Sequence, residues 1–306
     1  MITYLLALIT GTIAASSAVL MIKASTIPPG YLGSLRLIFA SIIFLVPAIL
    51  QFRKTYRNAP ELTPPSLKEI LSIASPPGVL LGLHFITWNI AARLTLAANA
   101  SLIVNMIPLI MPVLAFLLYK HSLHRRETLG SLIALGGIGF LSYGSVQLDP
   151  EYIAGDAMAL FSMFFFASYL ILAKRGRNLP LLTYLVAVYV TGSITSFLGG
   201  LVIDGPFRLE YLMVPELYFV LGLALIPTML GHSFINLAMR HLPSQVVSIA
   251  QLTQFMWASF FAWVLFNEIP SWTFYPAATM VVAGGFLSIS AHWSGWQSAK
   301  LEKKPA

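Results

Sequence analysis

The chain has no cysteine in 306 residues, and only 9% of its residues are charged. The first absence excludes disulfides, thiolate nucleophiles and cysteine-ligated metals. The second excludes an ordinary soluble domain, in which roughly 25% of residues are charged. No Asp or Glu falls near the middle of an apolar run. A buried carboxylate, the usual partner of cationic drugs and of proton antiport, is therefore not available. There is no phosphate loop, metalloprotease motif or dinucleotide fingerprint, so no cofactor is expected. Zinc is not expected either, because His84 and His232 lack a third ligand. No basic stripe with interleaved aromatics occurs, and nucleic acid is not an expected partner. The first three residues carry no basic charge, so the apolar stretch that follows reads as a first helix and not a cleaved signal.

What remains is apolar. Hydrophobic residues make up 58% of the chain, and the mean hydropathy is +0.81. A soluble fold could not hide that much apolar surface, whereas lipid solvates it. Runs of about 20 residues mark membrane spans at 4–23, 30–50, 71–92, 96–119, 128–146, 155–173, 180–203, 215–239, 244–266 and 272–292. The longest polar connector is 51–70, and the tail from Gln297 onward reads as disordered. The net charge of +7 is distributed by side. Arg53, Lys54, Arg57, Lys68, Lys120, Arg125, Arg126, Lys174, Arg175, Arg177, Arg240 and the three tail lysines flank one side, 14 in all. Lys23, Arg93 and Arg208 flank the other, and Arg36 lies inside the second span. That bias predicts both termini in the cytoplasm and an even number of spans.

The halves repeat. At an offset of 147, Asn89 falls on Asn236, Arg93 on Arg240, Ser101 on Ser248 and Gly137 on Gly284. At an offset of 151, Ser17 falls on Ser168, Lys23 on Lys174 and Pro29 on Pro180. Each unit holds five helices, so the second enters the membrane from the opposite side and the repeats are inverted. The expected fold is an all-α integral membrane protein of ten transmembrane helices. Residues 1–147 form one repeat, 152–293 the inverted second, and 294–306 a cytoplasmic tail. Such repeats place a substrate near the midplane between halves.

Polar residues inside spans are costly and are default candidates for function. His84 and Trp88 share a helix face with Asn89 beside them, and Thr228, His232 and Asn236 form a stripe at four-residue spacing. Asn105 lies with Ser101, Pro108 and Pro112 on one side of the fourth span. Gln251 lies with Ser244, Ser248 and Phe255 in the ninth, with Gln254 and Trp257 near. Single Ser and Asn residues also serve ordinary helix–helix hydrogen bonds. A neutral imidazole can bind substrate or carry a coupling proton. Arg36 has two readings, attracting a carboxylate or holding backbone carbonyls. Trp88, Tyr169, Tyr184 and Trp257 could cage a quaternary amine. Asp156 and Glu268 sit at span ends and read as boundary residues. The glycines at 136, 137, 139, 284 and 285 suit close helix packing, as does Gly192-Ser193, which lacks any nucleophile-elbow context.

The run GLHFITWNIAARLTLAANASLIVNMIPLIMPVLAF resembles the third-to-fourth helix region of the EamA family of the drug/metabolite transporter superfamily. GHSFINLAMRHLPSQVVSIAQLTQFMWASFFAWVLFNE resembles the matching region of the second half, and Arg36 matches an arginine often found early in helix two. The acidic residue often found after helix four is replaced here around Lys120-His121, while Glu268 keeps it after helix nine. A frequent Glu-Pro in helix nine is Gln254-Phe255. The resemblance implies ten helices, inward termini and export of amino acids or other small metabolites, and the expected location is a bacterial inner membrane.

The expected substrate-binding set is thus Ser17, Arg36, His84, Trp88, Asn89, Asn105, Tyr169, Thr228, His232, Asn236, Gln251, Gln254 and Trp257. Spans one, three, four, six, eight and nine are expected to line the site. The carrier is expected to be a facilitator or exchanger, as a monomer or weak dimer in the lipid bilayer. Two alternatives are a carrier of quaternary amines or aromatic drugs and a membrane enzyme acting on lipid. The enzyme reading lacks a nucleophile–base pair.

Overall fold

The computed structural model describes residues 2–95, 97–120, 123–142, 152–266 and 272–301. Among these there is no strand, and the helices fall into ten spans. Span 1 joins Ile2–Ser16 to Ala18–Ala24, span 2 is Pro29–Asn58 and span 3 is Leu67–Leu94. Span 4 joins Ala97–Asn105 to Ile107–Tyr119, and span 5 is Arg125–Ser142. Span 6 is Ile153–Leu172, tightening into a 3₁₀ turn at Ala173–Asn178, and span 7 is Leu181–Ile203. Span 8 runs through Glu216–Leu223, a π-helical stretch Ala224–His232, and Ser233–His241. Span 9 joins Ser244–Leu252 to Gln254–Phe266, and span 10 is Phe274–Leu301. Spans 1, 2, 3, 6, 7, 8 and 10 are each long and apolar enough to cross a bilayer unaided, and Ile103–Tyr119 of span 4 is a shorter apolar helix.

Two expectations shift. The connector at 51–70 is mostly helical: span 2 continues to Asn58, and span 3 starts at Leu67 behind a capping box. Ser66 accepts from the Glu69 amide, and the Glu69 carboxylate accepts from the Ser66 amide at 2.7 Å. Charged residues tolerate a helix that projects beyond the lipid, so hydropathy underestimated its length. Likewise span 10 stays helical through Gln297 to Leu301. His121, Glu268 and the last five residues lie outside the described residues, as does the side chain of Phe255.

The repeats pack about a pseudo-twofold axis. Span 2 crosses span 7, its counterpart, with Gly30 and Gly33 set against Gly200 and Ser196. Ser34 and Ser193 face each other at 3.0 Å across that crossing, which is the packing role expected of Gly192-Ser193. Span 5 meets span 10 through Gly130, Gly137 and Gly284. Small residues let backbones approach where lipid offers no hydrophobic drive. A Cβ on Gly139 would meet nothing within 4 Å among the described residues, so no close approach there requires glycine. Span 3 lies on span 6, and span 1 lies on span 8, completing the exchange. The outer faces are greasy: Ile42, Val46, Leu50, Val113, Leu117 and Val202 are all exposed. Buried positions instead include many polar side chains, as lipid solvation requires.

Local breaks also repeat. Span 4 is interrupted at Met106 and span 9 at Thr253, which are 147 residues apart. Pro108 accounts for the first break by removing a helical donor. The second has no proline. Helix starts place Pro28 opposite Pro180, so the register of the first two spans is 152, one more than the sequence comparison indicates.

Candidate functional site

A small polar cavity lies between the repeats, from mid-depth toward the face where spans 1 and 3 end. Arg36 of span 2, His84, Phe85 and Trp88 of span 3, and Ser101, Val104 and Asn105 of span 4 form one wall. Phe166 of span 6, Pro227 and His232 of span 8, and Gln254 of span 9 form the other. Ala15, Ser16, Ala18 and Val19 of span 1 complete it. All six expected spans contribute, with span 2 added through Arg36.

Its floor is an aromatic cluster. The His84 ring stacks on Phe166 at 4.5 Å between centroids and stands 6.4 Å from His232. His232 meets the edge of Phe85 at 5.2 Å. His84 Nδ1 lies 3.1 Å from the Ser162 carbonyl oxygen and 2.8 Å from its hydroxyl. A carbonyl only accepts, so this geometry places the imidazole proton on Nδ1 and leaves Nε2 as an acceptor. The Ser162 hydroxyl in turn reaches the His84 carbonyl at 3.3 Å. His232 Nδ1 is buried and has no hydrogen-bond partner.

Arg36 is 1% exposed. Its guanidinium carbon lies 4.0 Å over the centre of the Phe85 ring, a cation–π contact. Its Nε donates to Thr228 Oγ1 at 2.9 Å, while Nη1 and Nη2 meet no acceptor. Thr228 is held by its own bond to the Leu223 carbonyl, five residues back, at 2.7 Å. That spacing belongs to the π-helical turn, a form concentrated at functional sites. The Tyr189 hydroxyl donates to the Thr228 carbonyl at 3.2 Å, which fixes the same turn from span 7. Among the described residues no backbone carbonyl accepts from Nη1 or Nη2 of Arg36.

The other expected residues divide by location. Arg36, His84, Trp88, Asn105, His232 and Gln254 meet in the cavity wall. Asn105 also donates to the Ser101 carbonyl at 2.7 Å. Thr228 and Gln251 stand behind the wall, holding Arg36 and Gln254; the Gln254 amide donates to Gln251 at 2.6 Å. Asn236 donates to the Tyr169 hydroxyl and to the His232 carbonyl, so that pair braces His232. Asn89 donates to the Pro29 carbonyl at 2.9 Å and ties span 3 to span 2. Ser17 bonds back to Ala14 and Trp257 is half-buried; neither is in the wall, although Ser16 is. Phe85, Ser162 and Phe166 were not anticipated. The repeat offset of 147 places Phe85 opposite His232, and that was the available signal.

Both faces carry equivalent clasps. Arg93 donates to the Ile27 carbonyl at 2.6 Å and the Ser25 carbonyl at 3.1 Å. Arg240 donates to the Leu179 carbonyl at 3.0 Å and lies over the Tyr184 ring. Ile27 and Leu179 each precede the proline that opens spans 2 and 7. On the face toward which the cavity extends, Glu216 accepts from Ser25 and Thr26, and Asp156 accepts from Thr95. Asp156 is thus a tie between spans 3 and 6, beyond a boundary residue. Asp204 accepts from the Gly30 amide at 2.9 Å, and burial raises its carboxyl above the usual range against the lowering effect of that bond and of Arg93. On the N-terminal face, Tyr4 stacks on His241 at 4.0 Å, and Gln51 accepts from the Leu182 amide.

The EamA-like transporter family matches this chain twice, over residues 1–143 and 153–290. One solved crystal structure shares the fold with a TM-score of 0.72, covering 94% of this chain and 98% of that chain at 16% identity. No curated protein matches. Two family repeats and a helical bundle split by a cavity agree: the chain is a multi-pass membrane transporter belonging to the EamA-like transporter family.

Proposed function

We propose that the protein exports small organic solutes, amino acids or related zwitterions among them, across a bacterial inner membrane by alternating access. The observation that carries this reading is the cavity between the repeats, walled by seven spans and holding one charge. Both termini lie in the cytoplasm in this reading, from the 14-to-3 bias of basic residues. The cavity then extends toward the exterior, and the Tyr4–His241 stack closes the cytoplasmic side beneath it. Rocking one repeat against the other would reverse that arrangement. Among the described residues no carboxylate lines the cavity, which favours a facilitator or exchanger over a proton antiporter. The carrier works as a monomer or weak dimer and is not an enzyme.

Counterflow in reconstituted vesicles tests this. Radiolabelled amino acids should accumulate against an unlabelled internal pool with no covalent product. Turnover without flux removes the carrier reading. His84→Ala and His232→Ala should each cut transport by at least tenfold in protein that still purifies as a folded species. Unchanged transport in both variants would place the solute elsewhere.

A further inference from the structure

Resting on the carrier reading, we infer that Arg36 is the docking point for a carboxylate group of the transported solute. Its guanidinium is buried in the cavity wall, and both terminal nitrogens lack a partner. Arginine stays protonated in proteins, and a buried charge without an anion is costly. Arg36 makes no ion pair. The described acids, Glu61, Glu69, Glu127, Asp156, Asp204, Glu210 and Glu216, all sit at helix ends or in connections. Among the described residues no carboxylate pairs with Arg36, and a solute carboxylate can fill that role.

The geometry is preset for that anion. Thr228 occupies Nε, and the guanidinium carbon sits over the Phe85 ring. What stays free is the Nη1–Nη2 edge, two parallel donors that match the two oxygens of a carboxylate. A single cation suits a monoanion better than a phosphate dianion. His232 Nδ1 and the Gln254 amide offer neutral polar contacts beside it. Trp88 and Phe166 offer apolar faces for the body of the solute. None of the described lining residues carries a negative charge, so an amino group is not selected by an ion pair. Recognition should depend on the acid and tolerate loss of the amine.

The test uses the full-length protein in detergent at fixed ionic strength. Its melting temperature is measured with acetate and 3-phenylpropanoate, and with acetamide and 3-phenylpropanamide as uncharged matches. The acids should raise the midpoint saturably by a few degrees, as any ligand of the native state does, and the amides should not. Arg36→Met removes the uncompensated charge. It should melt at or above the ligand-free wild type and lose the acid response. Arg36→Lys should keep a weaker response without the paired donors. Equal effects of acids and amides, no effect of either acid, or an Arg36→Met variant that melts lower and still responds to acid would each overturn the assignment. Vesicle flux separates the two readings: acid binding with no flux removes the carrier alone, whereas equal transport of acid and amide removes the carboxylate site alone.

Discussion

Spans 3 and 8 occupy equivalent places in the two repeats and are built differently. Span 3 is α-helical throughout despite Pro76 and Pro77, and it packs tightly on both span 6 and span 7. Gly78 and Gly82 permit the second contact: a Cβ on Gly82 would stand 2.6 Å from the Gly192 carbonyl oxygen. Span 8 packs closely on span 1 but only loosely on span 2, and it widens into a π-helical stretch around Pro227. Where span 8 has Thr228 and Gly231, span 3 has Leu81 and His84. One copy of the helix is a rigid spacer; the other bends to present a hydroxyl to Arg36. Inverted repeats thus supply the symmetry of the fold, and departures from it make the cavity.

The largest effect should come from filling the tight side. Gly82→Leu forces span 3 off span 7 and should cost more than ~3 kcal/mol, seen as loss of monodisperse protein on size exclusion. Gly222→Ala on span 8 meets only the flexible Met21 thioether at 2.7 Å and should cost under ~1 kcal/mol. Equal damage from both would erase the contrast between the two helices.

The clasps test whether the two halves are energetically alike. Arg93→Gln and Arg240→Gln should each lower stability by ~1.5–3 kcal/mol, since charged hydrogen bonds contribute that much; Arg93 makes two of them, and Arg240 makes one and adds the Tyr184 ring contact. Thermal melts of the two variants check whether the losses match. A neutral result at one clasp would show that the repeats share geometry without sharing load.

Thr228→Val should cost ~1–3 kcal/mol by stranding Arg36 Nε, and it should weaken the acid-induced shift in melting temperature. The same substitution has no counterpart at Leu81. If the variant melts like wild type, the π-helical turn is not holding the arginine.

Smaller effects lie at the helix ends. Lys120 closes span 4 in a left-handed conformation at φ 53°, so Lys120→Gly should gain about 1 kcal/mol in a chemical or thermal melt. The raised Asp204 carboxyl contributes stability that is full below the ordinary carboxylate range and is lost as pH rises through its raised value. Asp204→Asn can still accept from Gly30, and it should flatten that part of the melting profile while leaving neutral-pH stability within ~0.5 kcal/mol. A wild-type profile that rises over the same interval would reverse the sign.

Much of this was legible beforehand. Long apolar runs located the spans, because twenty lipid-facing residues leave an unmistakable composition. The offset of 147 identified the repeats through polar pairs such as Arg93 and Arg240, and the structure gives those two arginines the same task on opposite faces. Six of the expected residues meet in one cavity wall. Phe85 and Phe166 escaped notice because aromatic residues in a membrane span look like lipid contacts. The breaks at Met106 and Thr253 escaped because only one of them contains a proline.

By itself the sequence determined that the chain crosses a membrane in inverted halves, since hydropathy and an odd helix count per repeat leave no other threading. It also determined that one arginine, and no acid, lies more than a turn inside a span. Only the tertiary structure decided what that arginine faces. A side chain's partners come from helices nearly two hundred residues away, and their rotation about their axes is set by packing of small residues, which leaves no periodic trace in the sequence.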